Sequence, residues 1–455
     1  MMYDLAIIGG GPGGTRAAFE ATARGMKTVL IEAGSLGGTC LNAGCIPTKM
    51  LLGSTACLES FTAQKKYKAA EGEITFSLKA LHDRKNRFVK GSRDALGKQL
   101  TTAGVTVLAG RATFSGPSSL TVSLADNGEE RIEFAHCIVA TGTVPAAFPG
   151  LSADGVHVLT STDFLELSQV PEDIIIIGGG VIGLEIGNIY HRLGAKITVV
   201  ETLERIAATE DEEVSLTLRK YYERNDWKFF TGKKVASVVS EGGKAALAFN
   251  DGTTLTAAKA LVAVGRSYTT KELACDVASI SLEKQGNIKT DAFLQAAKNI
   301  YAIGDVNGRT LLAHAADHQA RYVVARIAGD MTEPYAYGAM PACIYGHMEV
   351  MRVGPTAREL KKVGHAVTIS RAELIANPII QSYGTTHGFI KVAWVDGKVQ
   401  SITAVGHGVS HLVTLAAIMV TEKWTKKNIH SVIFAHPTLD EALESAMLAS
   451  QAVYE

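Results

Sequence analysis

A strand, a glycine loop, a helix and a second strand ending in glutamate form one pattern, and this 455-residue chain carries it twice. Residues 4–14 read Asp-Leu-Ala-Ile-Ile-Gly-Gly-Gly-Pro-Gly-Gly, and residues 173–183 read Asp-Ile-Ile-Ile-Ile-Gly-Gly-Gly-Val-Ile-Gly. Helical sequence follows each (15–24 and 184–193), then an apolar run that closes on Glu32 or Glu201. The first glycine and the glutamate lie 23 residues apart both times (9 to 32, 178 to 201). Uninterrupted apolar strands alternating with helices predict a parallel sheet covered on both faces. The fold class is therefore α/β, with two Rossmann-like dinucleotide-binding domains.

The glycines have separate tasks. Gly9 and Gly178 allow the tight turn, Gly11 and Gly180 let the backbone approach a pyrophosphate, and Gly14 and Gly183 allow close helix–strand packing. The phosphate charge then meets free amides at a helix N-terminus. Glu32 and Glu201 are placed to accept hydrogen bonds from a ribose diol. A carboxylate there repels a 2′-phosphate, so Glu201 favours NAD over NADP. Arg205 is near enough in sequence to soften that preference, although a solvated surface arginine is the plainer reading. Two such sites in one chain suggest two redox cofactors, a flavin and a nicotinamide.

Lysine plus arginine and aspartate plus glutamate number 45 each. That balance gives no reason to expect nucleic acid or an anionic membrane as partner. No apolar run approaches the ~18 residues that span a bilayer, and 412–420 reads as a buried helix. The first residues lack the basic region of a signal peptide. Six cysteines are too few for a disulfide framework. A cytoplasmic protein is expected, in which a disulfide would be catalytic, with export in the folded state left open.

Two of the cysteines follow the first nucleotide unit at once, in Gly37-Gly38-Thr39-Cys40-Leu41-Asn42-Ala43-Gly44-Cys45-Ile46-Pro47-Thr48-Lys49. Residues i and i+5 of a regular helix are ~7.5 Å apart along its axis. A disulfide needs Cα atoms within ~6.8 Å. Cys40 and Cys45 can pair only across an irregular turn, where Asn42 and Gly44 stand, with a helix starting near Cys45. A thiol at such a start has its thiolate favoured. An unrelated buried pair competes with this reading; Cys57, Cys137, Cys275 and Cys343 read as ordinary cysteines. Further on, His436-Pro437-Thr438-Leu439-Asp440-Glu441 offers an imidazole with a carboxylate to orient it. A helix cap beside a satisfied histidine is the competing reading there.

The boundaries fall at 1–145 (first nucleotide unit with the cysteines), 146–267 (second unit), 268–336 (a segment completing the first) and 337–455 (an α+β tail). In the tail, 388–394 and 400–405 read as strands, and 411–420 and 439–450 as helices.

Taken in order, Gly9–Gly14, Gly37–Lys49, Ala140-Thr141-Gly142, Gly178–Glu185, Val264-Gly265-Arg266, Tyr301–Asp305 and His436–Glu441 resemble the FAD-dependent pyridine nucleotide–disulfide oxidoreductases. The resemblance covers nearly the whole chain and is strongest to the dihydrolipoamide dehydrogenases. It implies FAD and NAD as cofactors, no metal, and a C-terminal dimerisation domain. Cys45 would be the thiol beside the flavin, able to form a charge-transfer contact with the ring. Cys40 would be the interchange thiol that meets the substrate. Asp305, after Gly304, would bind the ribityl chain; otherwise it is a strand-end turn residue. Lys49 and Glu185 would pair near flavin N5; otherwise they are a surface lysine and a helix-facing glutamate. Thr39, Lys49, Thr141, Gly142, Gly265 and Arg266 would belong to the cofactor sites. His436 would be the acid/base for thiol exchange, oriented by Glu441 and supplied by the partner subunit of a homodimer. The implied reaction passes electrons between a dithiol or disulfide, dihydrolipoamide or lipoamide first, and NAD⁺ or NADH.

Gly346-His347-Met348, Asn377-Pro378-Ile379-Ile380, Ser410-His411 and Gly265-Arg266-Ser267-Tyr268 depart from the usual dihydrolipoamide dehydrogenase pattern. Most lie in the tail that would shape the substrate channel. An NADH-dependent reductase of another small or protein disulfide therefore stands as the alternative. A nucleotide-sensing binding protein without thiol turnover is the non-enzyme reading. Glu201 argues against a glutathione reductase, and the ending Gln451-Ala452-Val453-Tyr454-Glu455 lacks the cysteine pair of a mercuric reductase.

Overall fold

The computed structural model describes residues 2–385 and 387–454. The chain forms two units. One is drawn from Met1–Thr48, His82–Ala147 and Gly265–Ala336, the other from Lys49–Leu81, Phe148–Val264 and Tyr337–Glu455.

In the first unit, parallel strands lie in the order Thr106–Gly116, Thr28–Glu32, Met2–Ile8, Glu129–Val139, Ile300–Ala302. Successive side chains of a strand point to opposite faces, and here both faces are apolar. Leu5, Ile7 and Leu30 pack with Ala17, Ala18, Val323 and Val324 from two helices, Pro12–Ala23 and Ala313–Ile327. Ala6, Ile8, Val29 and Ile31 join Phe114, Leu120 and Phe134 on the other face. That second cover is not helical. Thr106–Gly116 and Glu129–Val139 run past the parallel region and form an antiparallel meander with Ser119–Leu124.

The second unit holds a parallel sheet in the order Lys228–Thr231, Lys196–Glu201, Asp173–Ile177, Lys259–Val262, Val158–Leu159. Ile174 to Ile177 are each at most 3% exposed, as a centrally placed strand requires. The tail builds a six-stranded antiparallel sheet ordered Pro341–Ile344, Glu349–Val353, Lys398–Gly406, Gly388–Val395, Thr368–Glu373, Ala452–Val453. Its central hairpin turns on Asp396 and Gly397, whose φ values of 51° and 70° match the twist of the flanking strands.

Three details differ from the sequence reading. The helices Pro12–Ala23 and Val181–Arg192 begin three residues earlier than 15 and 184, because Gly11 and Gly180 act as their N-caps in extended backbone. Pro12 sits where a missing N–H is harmless. The expected helices 411–420 and 439–450 are Val413–Thr421 and Asp440–Leu448. The former is buried on one side only: Ala416, Met419 and Val420 face the core, while the equally apolar Ile418 is 48% exposed. Among the described residues no helix is long and apolar enough to cross a membrane.

Candidate functional site

The two glycine loops fold alike. Gly9 and Gly178 take φ of 105° and 108°, a region that side chains rarely enter. A Cβ on Gly9 would drive into Ala140 O, and one on Gly178 into Ala263 O. A Cβ on Gly14 or Gly183 would collide with the carbonyl of Gly9 or Gly178. The middle glycines are different. Among the described residues, nothing lies within 4 Å of a Cβ placed on Gly180, and only Gly38 Cα, at 3.9 Å, meets one placed on Gly11. Each loop thus leaves an open shelf at a helix N-terminus that has no side-chain cap and no acidic residue in its first turn. A pyrophosphate suits both shelves, so the residues present fit a dinucleotide at each.

The acidic ends of the two units are also alike. Glu32 accepts from Gly10 N at 2.5 Å and Gly34 N at 2.7 Å. Glu201 accepts from Gly179 N at 2.7 Å and Leu203 N at 2.8 Å. Their own loops fix both carboxylates, each oxygen keeping capacity for a further donor. Arg205 is not the solvated side chain that the sequence suggests. Its Nη2 donates to Ala208 O at 3.3 Å, and its Nη1 is buried. Gly183→Val must displace the Gly178 carbonyl, and overpacking of that kind costs ~1–3 kcal/mol. NAD⁺ binding by this variant, read by calorimetry, should weaken roughly ten- to hundredfold, with flavin content unchanged.

The cysteine segment breaks where pairing demands it. Gly38–Ala43 is one short helix, Gly44 ends it, and Cys45–Thr55 begins the next. A Cβ on Gly44 would sit 3.0 Å from Thr39 O, so glycine permits this close return of the chain. Asn42 does more than favour a turn. Its Nδ2 donates to Gly38 O at 2.9 Å and Leu36 O at 3.0 Å. Arg93 Nη1 holds the same region through Ser35 Oγ at 3.2 Å. Cys45 is exposed and Cys40 half-buried, so the two are not a buried pair. Cys137 and Cys275 are the buried ones.

Elsewhere in the same unit, Arg266, Thr143 and Asp305 form a cluster. Arg266 donates to Thr143 through Nε to Oγ1 (2.6 Å) and Nη2 to the carbonyl (2.7 Å). Thr143 Oγ1 donates to Asp305 Oδ2 at 2.7 Å, and Arg266 Nε lies 3.9 Å from that oxygen. Burial lowers the Arg266 pKa; the charges of Asp305 and then Cys45 oppose it. Thr141 Oγ1 donates to Thr269 O at 2.9 Å. Gly142 and Gly265 take φ of 66° and 135° directly before the short antiparallel strands Thr143–Pro145 and Arg266–Tyr268. Gly304 donates its N–H to Gln319 Oε1 at 2.8 Å. Thr143 was not singled out from sequence, although it directly follows Thr141 and Gly142.

In the second unit, Lys49 Nζ lies 2.6 Å from Glu185 Oε2. Glu185 Oε1 accepts from Tyr345 N at 3.0 Å, and the Lys49 ammonium sits 4.7 Å from the centroid of the Tyr345 ring. Burial raises the Glu185 pKa; Lys49 counteracts it. Tyr345 is 160 residues from Glu185 in sequence, too far for any local pattern to mark it.

His436 Nδ1 is 2.9 Å from Glu441 Oε1, and Thr438 N donates to Glu441 Oε2 at 2.7 Å. The Thr438 amide, then His436, hold the Glu441 carboxyl below the usual range. The His436 side chain is 76% exposed, so the imidazole is presented at the surface of the chain.

Residues 3–320 match the pyridine nucleotide-disulphide oxidoreductase family, and residues 340–447 match its dimerisation domain. The dihydrolipoyl dehydrogenase of Chlorobaculum parvum is 36% identical, over 98% of this chain and 97% of its own length. That of Bacillus subtilis is 34% identical over 98% of each. The crystal structure of LpdA from Mycobacterium tuberculosis shares 25% identity and a TM-score of 0.91, covering 97% of this chain and 98% of that one. The HOCl-induced flavoprotein disulfide reductase RclA from Escherichia coli, at 23% identity and a TM-score of 0.87, has the same fold over 98% of this chain and 99% of its own.

Proposed function

We infer, for a chain that belongs to the pyridine nucleotide-disulphide oxidoreductase family, that it is an FAD-dependent, NAD-linked enzyme whose dithiol substrate is dihydrolipoamide. The observation that carries this reading is the helix break at Gly44, which presents two cysteines on consecutive helices directly after a dinucleotide shelf. Full-length similarity to dihydrolipoyl dehydrogenases supports the choice of substrate.

Gly9, Gly11, Gly14, Glu32, Thr39, Lys49, Thr141, Gly142, Gly304 and Asp305 would hold FAD, with Gly265 and Arg266 bordering the cofactor sites. Gly178, Gly180, Gly183 and Glu201 would hold NAD. Bound FAD supplies a two-electron carrier between sulfur and nicotinamide. The protein's own groups do the rest. A substrate thiol gives its proton to His436, and the thiolate attacks Cys40 Sγ. The Cys40–Cys45 bond breaks, and Cys45 departs as a thiolate. It is then at the N-terminus of Cys45–Thr55, where free amides favour an anion. The second substrate thiolate attacks the mixed disulfide and expels Cys40. The substrate has lost two electrons and two protons: the electrons rest on the two enzyme sulfurs, one proton on His436 and the other on Cys40. Return to the disulfide converts NAD⁺ to NADH and H⁺. Glu441 keeps the imidazole oriented through Nδ1, leaving Nε2 to move the proton.

The match to a dimerisation domain supports a homodimer, in which His436 would act on the partner's cysteines. A cytoplasmic location is part of this proposal, supported by a cysteine count too low for a disulfide framework. The test is steady-state turnover of dihydrolipoamide with NAD⁺, beside NADH-driven reduction of lipoamide, glutathione disulfide and a protein disulfide. Highest kcat/KM for the lipoyl pair is expected. Turnover of another disulfide with none of lipoamide would move the substrate; no thiol turnover at all would leave a binding protein.

A further inference from the structure

We propose that the dimerisation sheet governs nucleotide choice: Arg352 and Lys391 clamp the segment 201–211 through buried ion pairs to Glu210 and Asp211, holding Glu201 where it selects NAD⁺ over NADP⁺. This rests on the assignment of Glu201 as the residue that reads the ribose.

Glu201 ends the strand Lys196–Glu201, and the next helix begins only at Glu212. The intervening backbone folds back over the second glycine loop. Ala207 N donates to Gly179 O at 2.8 Å, and a Cβ on Gly179 would lie 2.9 Å from Ile206 Cγ2. Ala207 adopts φ 44°, a left-handed conformation without glycine. Such backbone persists only where surroundings over-determine it.

The restraint comes from the tail. Arg352 lies on the strand Glu349–Val353, and Lys391 on Gly388–Val395, two strands that flank Lys398–Gly406. Arg352 grips Glu210 with Nε at 2.7 Å and Nη2 at 3.3 Å, and its Nη1 donates to Gly354 O at 2.8 Å. Lys391 Nζ lies 2.7 Å from Asp211 Oδ1 and 3.6 Å from Glu213 Oε2. Asp211 also accepts from Glu213 N at 3.0 Å, capping the helix Glu212–Glu223. Glu210, Asp211 and Lys391 are each at most 6% exposed. Buried charges of this kind tolerate little displacement, since moving one strands the other.

Arg205 supplies the alternative state. Its Nη1 is buried with no hydrogen-bond partner among the described residues, inside the clamped segment. Releasing the clamp frees a guanidinium beside the ribose site, and a guanidinium is a bidentate phosphate ligand. The clamp therefore stabilises a loop that reads a diol and withholds the group that would read a 2′-phosphate. Arg352 and Lys391 are positioning residues; neither is assigned a contact with the nucleotide.

The experiment compares Arg352→Gln, Glu210→Gln, the charge exchange Glu210→Arg with Arg352→Glu, and Glu201→Gln in the FAD-loaded dimer. Calorimetric Kd and steady-state KM for NAD⁺ should rise about tenfold in the two Gln variants, with the NAD⁺/NADP⁺ preference narrowed. Flavin content, dimer mass and kcat at saturating NAD⁺ should hold. The charge exchange should recover most of the affinity, and Arg352→Lys, which keeps the charge on a single donor nitrogen, covers the case in which Arg352→Gln fails to fold. Unchanged NAD⁺ affinity and preference in folded Arg352 variants, or a parallel fall in kcat and in dithiol kinetics, overturns the clamp. If Glu201→Gln also leaves NAD⁺/NADP⁺ preference unmoved, the reading of Glu201 falls with it; if Glu201→Gln relaxes preference and the Arg352 variants do not, only the clamp falls.

Discussion

Cys40→Ser should lower dihydrolipoamide oxidation by at least about a thousandfold while FAD stays bound. A hydroxyl cannot form the disulfide that a substrate thiolate attacks, so no later step can be reached. The substitution lies on the short helix Gly38–Ala43, where residue 40 is half-buried, and Ser replaces Cys with little change in volume. Rapid-mixing experiments under anaerobic conditions would show no oxidation of dihydrolipoamide on the turnover timescale, whereas the flavin absorbance per chain would match that of the parent. Undiminished turnover would remove the central role of residue 40. Cys45→Ser should be equally inactive.

His436→Gln is expected to cost about 10²–10⁴ in kcat/KM for the dithiol, the usual contribution of a positioned acid/base. Its side chain is 76% exposed and its hydrogen bond runs to Glu441, so stability should scarcely change. The sign of the pH dependence follows from the role assigned to it. A thiol has its ordinary pKa near ~8.5, and above that the substrate ionises without help. The deficit of His436→Gln should therefore shrink as pH rises. A deficit that is constant from pH 6 to about pH 10 would assign His436 something other than proton removal. Mixed dimers supply a second check. Chains carrying Cys40→Ser, reassembled with chains carrying His436→Gln, contain one complete site per hybrid only if the histidine serves the opposite chain. Recovered turnover in the mixture is expected; none would place the imidazole on its own chain's cysteines.

The parts legible in the sequence are those whose geometry is local. Gly9 and Gly178 must turn at positive φ, and Gly14 and Gly183 must let a helix cross a carbonyl. Such demands leave a mark within six residues. The break at Gly44 is of the same kind, because helix pitch alone forbids the two cysteines from sharing one helix. What escaped is held by contacts between distant segments. Thr143 bridges Arg266 and Asp305 across more than a hundred residues, and Tyr345 meets Glu185 across 160. No spacing rule reaches that far. Ile418 escaped for a different reason. Seven of the nine residues of Val413–Thr421 are apolar, with no polar stripe to show which side faces solvent, so the helix looked buried all round.

The interrupted course of the chain through the first unit has a consequence for how the protein is made. Glu129–Val139 is flanked on one side by Met2–Ile8 and on the other by Ile300–Ala302. A ribosome working at ~5–20 residues per second delivers residue 302 roughly 15–60 s after it begins. Until then the nascent sheet keeps a bare, hydrogen-bonding margin, and Asp305 has not emerged. On the role proposed for Asp305, flavin capture is expected late in translation, and a transcript truncated before this point is expected to yield a colourless polypeptide with an unprotected edge for chaperones to shield.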